Sequence, residues 1–168
     1  MIMKKILIAM MAFATLFAVS CNKDDEEENA TLQGRWDAPH SADNMGDIAF
    51  VALFGDENLD LYIIPWGQHM KGTYSMNNGV ITYNITEAYQ AYTDVSYDGE
   101  GNMTSWSWMA GNLDATTLTL AEGYDWYAMT GENFNQAQED FGEFEFNIKG
   151  STAKSTLVGL PDLTFYKK

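Results

Sequence analysis

The single cysteine of this 168-residue chain is its most reactive side chain, and its neighbours define the chemistry open to it. Cys21 follows Lys4, Lys5 and the uncharged run 6–19, and it closes the segment Leu16-Phe17-Ala18-Val19-Ser20-Cys21. The run is shorter than the ~20 apolar residues a helix needs to cross a bilayer. A basic start, a short apolar core and small residues before a cut site form a removed export signal. A thiol at that position is suited to lipoprotein maturation. Sulfur takes lipid as a thioether, the chain is cut before Cys21, and the new amine is acylated. Ala18 stands three residues before the thiol, where many such signals carry leucine. Residues 1–20 are expected to be the signal peptide. Two or three acyl chains on Cys21 would then hold the protein to a membrane.

Other side chains give little sign of catalysis. His40 and His69 fall in predicted loops, no His pair has zinc spacing, and no serine sits in a nucleophile elbow. Asp98-x-Glu100-x-Asn102 sets oxygens at alternate positions as a calcium loop would, but no closing glutamate follows at 107–109. Gly99 and Gly101 make this stretch a hairpin turn. Glu143 and Glu145 alternate with phenylalanines and read as the wet face of a strand. No enzyme activity, cofactor or metal is expected.

Charge narrows the partners. Residues 22–30 include five consecutive acids, Asp24–Glu28, which repel one another and make 21–30 a lipidated cysteine on a solvated tether. Removing 1–20 takes Lys4 and Lys5, so 7 bases face 24 acids and the mature side chains carry −17. Nucleic acid needs clustered Lys and Arg, and is excluded as a partner. With Cys21 taken by lipid, residues 31–168 hold no thiol and must be held by packing alone.

Of the 23 aromatic residues, 21 lie in 31–168, so aromatic side chains must supply both the core and any binding surface. Candidate cavity-lining residues are Tyr62, Trp66, Tyr74, Tyr83, Trp106, Trp108 and Trp126, with Met70, Met76, Met103, Met109 and Met129 giving adaptable shape. Trp66, between Pro65 and Gly67, is the one most expected at the surface. The elements positioning them read as strands. Ile81, Tyr83 and Ile85 alternate with polar residues in 80–86, as do Phe144, Phe146 and Ile148 in 143–148. Residues 72–76, 91–97, 103–109 and 116–120 read as further strands. Segments 48–54 and 59–66 are apolar on both faces, which predicts an outer cover from a loop or the chain end. Asn77-Asn78-Gly79 marks a tight hairpin. Segment 132–140 lacks alternation and reads as a short helix or a long loop. The sum is an all-β fold, an antiparallel up-and-down barrel of eight to ten strands, formed by one domain over 31–168.

Three successive motifs carry a family resemblance: Thr31-Leu32-Gln33-Gly34-Arg35-Trp36, the hairpin Gly72-Thr73-Tyr74 to Ile81-Thr82, and Asp114–Leu120. Together they resemble the lipocalin-like (calycin-like) domains of Bacteroidetes lipoproteins over about residues 31–130. Lys23 followed by acids resembles the signal that exports such lipoproteins to the outer face of the outer membrane. The resemblance implies structural roles for Gly34 and Trp36, with Trp36 packed across the closed end of the barrel and Arg35 helping to cover it. It implies a cell-envelope binding protein, lipid-anchored in the bacterial outer membrane and displayed at the cell surface or toward the periplasm. Two functions remain open on the sequence. One is an internal cavity for a small apolar or amphipathic ligand. The other is recognition of a glycan or protein by an outer face, with the barrel filled.

Overall fold

The computed structural model describes residues 31–39, 47–157 and 163–168. The predicted signal, Cys21, the tether and His40 lie outside the described residues. Ten strands form one antiparallel sheet: β1 Gly34–Pro39, β2 Ile48–Phe54, β3 Asn58–Ile63, β4 Gln68–Asn77, β5 Val80–Tyr97, β6 Met103–Ser107, β7 Asp125–Ala128, β8 Glu143–Lys149, β9 Thr152–Ser155 and β10 Leu163–Lys167. Among the described residues one α-helix, α1 Gly131–Phe141, precedes β8. Eight strands close on themselves in the order β4-β3-β2-β1-β10-β9-β8-β5, with β5 pairing back onto β4. β6 and β7 pair with the second half of β5 and extend the wall beyond the closed ring.

Two-residue alternation fills the barrel. Trp36, Phe54, Phe146 and Phe165 are almost wholly buried, with ring centroids 5.2–5.4 Å apart along the chain of contacts. Ile81, Tyr83 and Ile85 are buried while Thr82, Asn84 and Thr86 face water. Burying such large side chains is the main source of stability, at about 1.5–3 kcal/mol for each aliphatic or aromatic group removed from water.

The lower end of the barrel is closed by its first strand. Gly34 takes φ +111°, a conformation L side chains rarely adopt, as the chain turns into β1. Trp36 then enters the core with no exposed surface, and its Nε1 donates to Leu32 O at 2.7 Å. The indole thus buries its bulk and satisfies its one donor. Arg35, one residue earlier, points the other way. It pairs with Asp37 at 2.7 Å and donates to the carbonyls of Ala115 and Thr116.

Those carbonyls belong to the segment that covers the outside of β2 and β3. Leu113, Ala115, Leu118 and Leu120 pack with Val51, Leu53, Tyr62 and Ile64 in a second apolar cluster. This is the outer cover predicted by the two-faced strands. The covering segment is not the strand expected over 116–120. Asp114 caps a tight turn by accepting from the backbone N–H of Thr116 (2.8 Å) and Thr117 (2.7 Å), and Leu118 has φ +58°. Local bonding by the aspartate outcompetes the sheet ladder here.

One further element differs from the expectation. The expected strands 80–86 and 91–97 are one strand, β5, which continues through a bulge opposite Lys71 and Gly72. At that bulge a Cβ on Gly72 would stand 2.1 Å from Asn84 O, so only glycine permits the close approach. Segment 132–140, expected as a short helix or a long loop, is the helix: α1, whose Ala137 and Phe141 pack into the main core.

Candidate binding cleft at the barrel mouth

The mouth lies at the end of the barrel opposite Gly34, where β3 turns into β4. Pro65 starts a one-turn 3-10 helix, Ile64–Trp66, and Gly67 ends it. The turn projects the Trp66 ring outward while its carbonyl faces the neighbouring strand. Trp66 O accepts from Gln90 Nε2 at 2.5 Å and from Trp108 Nε1 at 2.9 Å. Gln90 Oε1 accepts from Gln68 Nε2 at 2.9 Å. Two amides and one indole thus lock the turn to β5 and to the end of β6. Groups bound to one another in this way are held in place before any ligand arrives.

Three adjoining cavities open here, of about 360, 350 and 200 Å³, and Gln68 lines all three. The first is lined by Gln90, Tyr92, Met103, Trp106, Tyr127, Met129 and Asn133. The second is bounded by Trp66, Trp106 and Trp108. The third follows α1 past Asn133, Gln136 and Asp140. Trp66, Trp106 and Trp108 are 46 %, 52 % and 43 % exposed, unusual for tryptophan. Tyr92 ties the aromatic wall together, with its centroid 5.7 Å from Trp106 and 5.9 Å from Tyr127. Desolvation raises the Tyr92 hydroxyl above its ordinary pKa, so it remains a neutral donor at physiological pH. None of the residues lining these cavities is Lys, Arg or His.

The seven aromatic candidates from the sequence separate into four places. Trp66, Trp106 and Trp108 come together at the cleft. Tyr83 lies in the core, its hydroxyl donating to Leu59 O at 2.9 Å. Tyr74 is at the closed end, where its ring meets Phe54 edge-on at 5.2 Å and its hydroxyl donates to Gly55 O. Tyr62 and Trp126 are on the outer wall around His69. The Tyr62 and His69 rings stack at 3.9 Å, Trp126 is 5.7 Å away, and His69 Nε2 lies 2.8 Å from Asp60 Oδ1. His69 is therefore a buried strand residue of β4, not the loop residue expected. At 98–102 the expected turn forms. Asp98 accepts from Glu100 N, Asn102 N and Asn102 Nδ2, and these bonds, led by that of the Asn102 side chain, hold its carboxyl below the usual range.

The sequence reading did not single out Gln68, Gln90, Tyr92, Tyr127 or Asn133. Their mutual approach depends on the bulge in β5, on β7 pairing to its far half, and on the helix start. One signal was present: Tyr92 continues the inward phase Ala88-x-Gln90-x-Tyr92 once the bulge is counted.

No protein family matches this chain, and no curated protein or solved structure matches it either.

Proposed function

We propose that this chain is a lipid-anchored cell-envelope binding protein that takes an uncharged amphipathic ligand at the barrel mouth. The observation carrying this reading is the division of aromatic side chains. Trp36, Phe54, Phe146 and Phe165 are buried against one another in the core, whereas Trp66, Trp106 and Trp108 stand half-exposed around open cavities. Small-molecule sites combine aromatic walls with a few placed polar groups, in volumes of about 300–1,000 Å³. The mouth has that composition. The barrel itself supplies a rigid frame, and Cys21 supplies the attachment to the outer membrane. The site holds binding groups and no nucleophile with an adjacent base, which favours recognition over catalysis.

The neutral apolar dye Nile red tests the cleft. The lipid-free Cys21→Ser chain should bind it with a blue shift in dye emission. Trp106→Ala, which leaves the Trp108–Trp66 hydrogen bond in place, should weaken binding at least tenfold with the melting temperature unchanged. Equal dye binding by both proteins would refute the site.

A further inference from the structure

From that reading we infer the class of ligand: the mouth cleft recognises a neutral saccharide chain. A pyranose ring has two apolar C–H faces and a rim of hydroxyl groups. It requires flat aromatic surfaces for the faces and short, two-sided polar groups for the rim. Trp66, Trp106 and Trp108 present the flat surfaces, and their exposure leaves ring area uncovered by protein. Aromatic faces carry negative quadrupole density and attract weakly positive C–H groups.

The rim chemistry is supplied by amides. Gln68, Gln90, Asn133 and Gln136 line the cavities; Gln90 Nε2 is held by Trp66 O and Gly67 O and Gln136 Nε2 donates to Asp140, so the second N–H of Gln68, the Asn133 amide and the Gln136 carbonyl supply donors and acceptors that match hydroxyls, which do both. Asp140 adds its Oδ2 as an acceptor for a donating hydroxyl, its Oδ1 already accepting from Gln136. Charge selects against the alternatives. No cation lines the cleft, and the mature chain carries −17, so sulfated, phosphorylated or uronic-acid sugars meet repulsion with nothing to offset it. A fatty chain would need a dry tunnel, whereas these cavities open to solvent and are lined in part by amides. The three cavities share Gln68 and adjoin one another, so the site is a run of subsites suited to several linked sugars.

The test is a glycan array of neutral and acidic oligosaccharides probed with the Cys21→Ser chain, followed by affinity electrophoresis in dextran, yeast mannan, xylan and polygalacturonate. Binding to at least one neutral glycan is expected, with none to polygalacturonate. Trp106→Ala should weaken it at least tenfold, and Trp106→Phe should restore part of the affinity. Asn133→Ala, on an exposed helix turn, serves as a second variant that leaves the barrel core untouched, and should weaken binding as well. Because sugar hydroxyls are uncharged, affinity should hold between about 0.05 and 0.5 M salt. Nile red separates the two readings. Tryptophan-dependent dye binding with no neutral glycan bound overturns the saccharide class and leaves the cleft. Failure of both probes overturns both. Glycan binding undiminished in Trp106→Ala and Asn133→Ala places the sugar elsewhere and overturns the inference.

Discussion

Tyr83 shows how one side chain can be read as ligand contact and prove to be architecture. Its ring lies in the core and its hydroxyl donates to Leu59 O. Burial, and secondarily the charge of Asp60, pushes the phenol far above its ordinary value near 10. The consequence for stability has a definite sign. Above about pH 10 the unfolded chain releases the tyrosine proton while the folded chain retains it. The unfolded state then binds fewer protons, so stability is full below pH 10 and falls as pH rises further. Tyr62 and Tyr74 are raised by desolvation too and act in the same direction. Urea unfolding at pH 8 and pH 11 should show a marked loss for the wild type and a smaller loss for Tyr83→Phe. The variant itself should cost about 1 kcal/mol at pH 8, for the lost hydrogen bond. An identical pH dependence in both proteins would contradict the role assigned to this phenol.

At the scale of elements, the barrel has one thin seam. β5 meets β8 over only the pairs of Val80, Ile81 and Thr82. Beyond them α1 takes over. Gln138 Nε2 donates to Tyr83 O at 2.9 Å, and Gln138 Oε1 accepts from Ile85 N at 2.9 Å. One side-chain amide thus replaces a residue of a missing strand. Gln138→Leu should leave a buried N–H and C=O unpaired, costing about 1–3 kcal/mol for each. Gln138→Glu keeps the acceptor and loses the donor, so it should fall between the two in urea midpoint. Faster amide exchange at Ile85 would locate the effect; unchanged exchange would count against the seam. Such a contact was beyond the reach of the sequence, because nothing in 132–140 announces a partner more than 50 residues away. What was legible followed from local pattern. Alternation in 80–86 and 143–148 located β5 and β8, and the two-faced apolar runs 48–54 and 59–66 foretold an outer cover. Alternation misled at 116–120, where Asp114 satisfies the backbone in a turn. At the site, Trp66 was legible from Pro65 and Gly67. Trp106 and Trp108 were legible as a shared face but not as an outward one, since register decides which side a strand face meets. Gln68 and Gln90 gave no signal, because a glutamine reads the same on any wet surface.

The whole molecule has a direction. β1 starts at Gly34, beside the turn formed by 55–58, while Trp66, Gln68 and α1 lie at the opposite end. Thr31 is held at the Gly34 end by Lys167, whose Nζ donates to its hydroxyl at 3.1 Å. The described fold is therefore entered at the Gly34 end, so an attachment through Cys21, as proposed, would leave the mouth at the far end of the barrel. Residues 22–30 reach at most about 3.3–3.6 Å each, so the cleft would stand one domain height plus that span from the bilayer. This geometry suits a ligand that arrives from outside the membrane, and it would make a lipid on Cys21 a mooring rather than part of the site. Two measurements follow from it. Wild-type protein should sediment and float with membranes, whereas Cys21→Ser should move to the soluble fraction with its dye affinity intact. If the cleft faces the medium, protease added to intact cells should remove the wild-type domain, and cells should be retained on an immobilised neutral glycan in a Trp106-dependent way. Full protection from protease would instead place the mouth in the periplasm. A Cys21→Ser protein that still floats with lipid would show that something other than the thiol holds the chain.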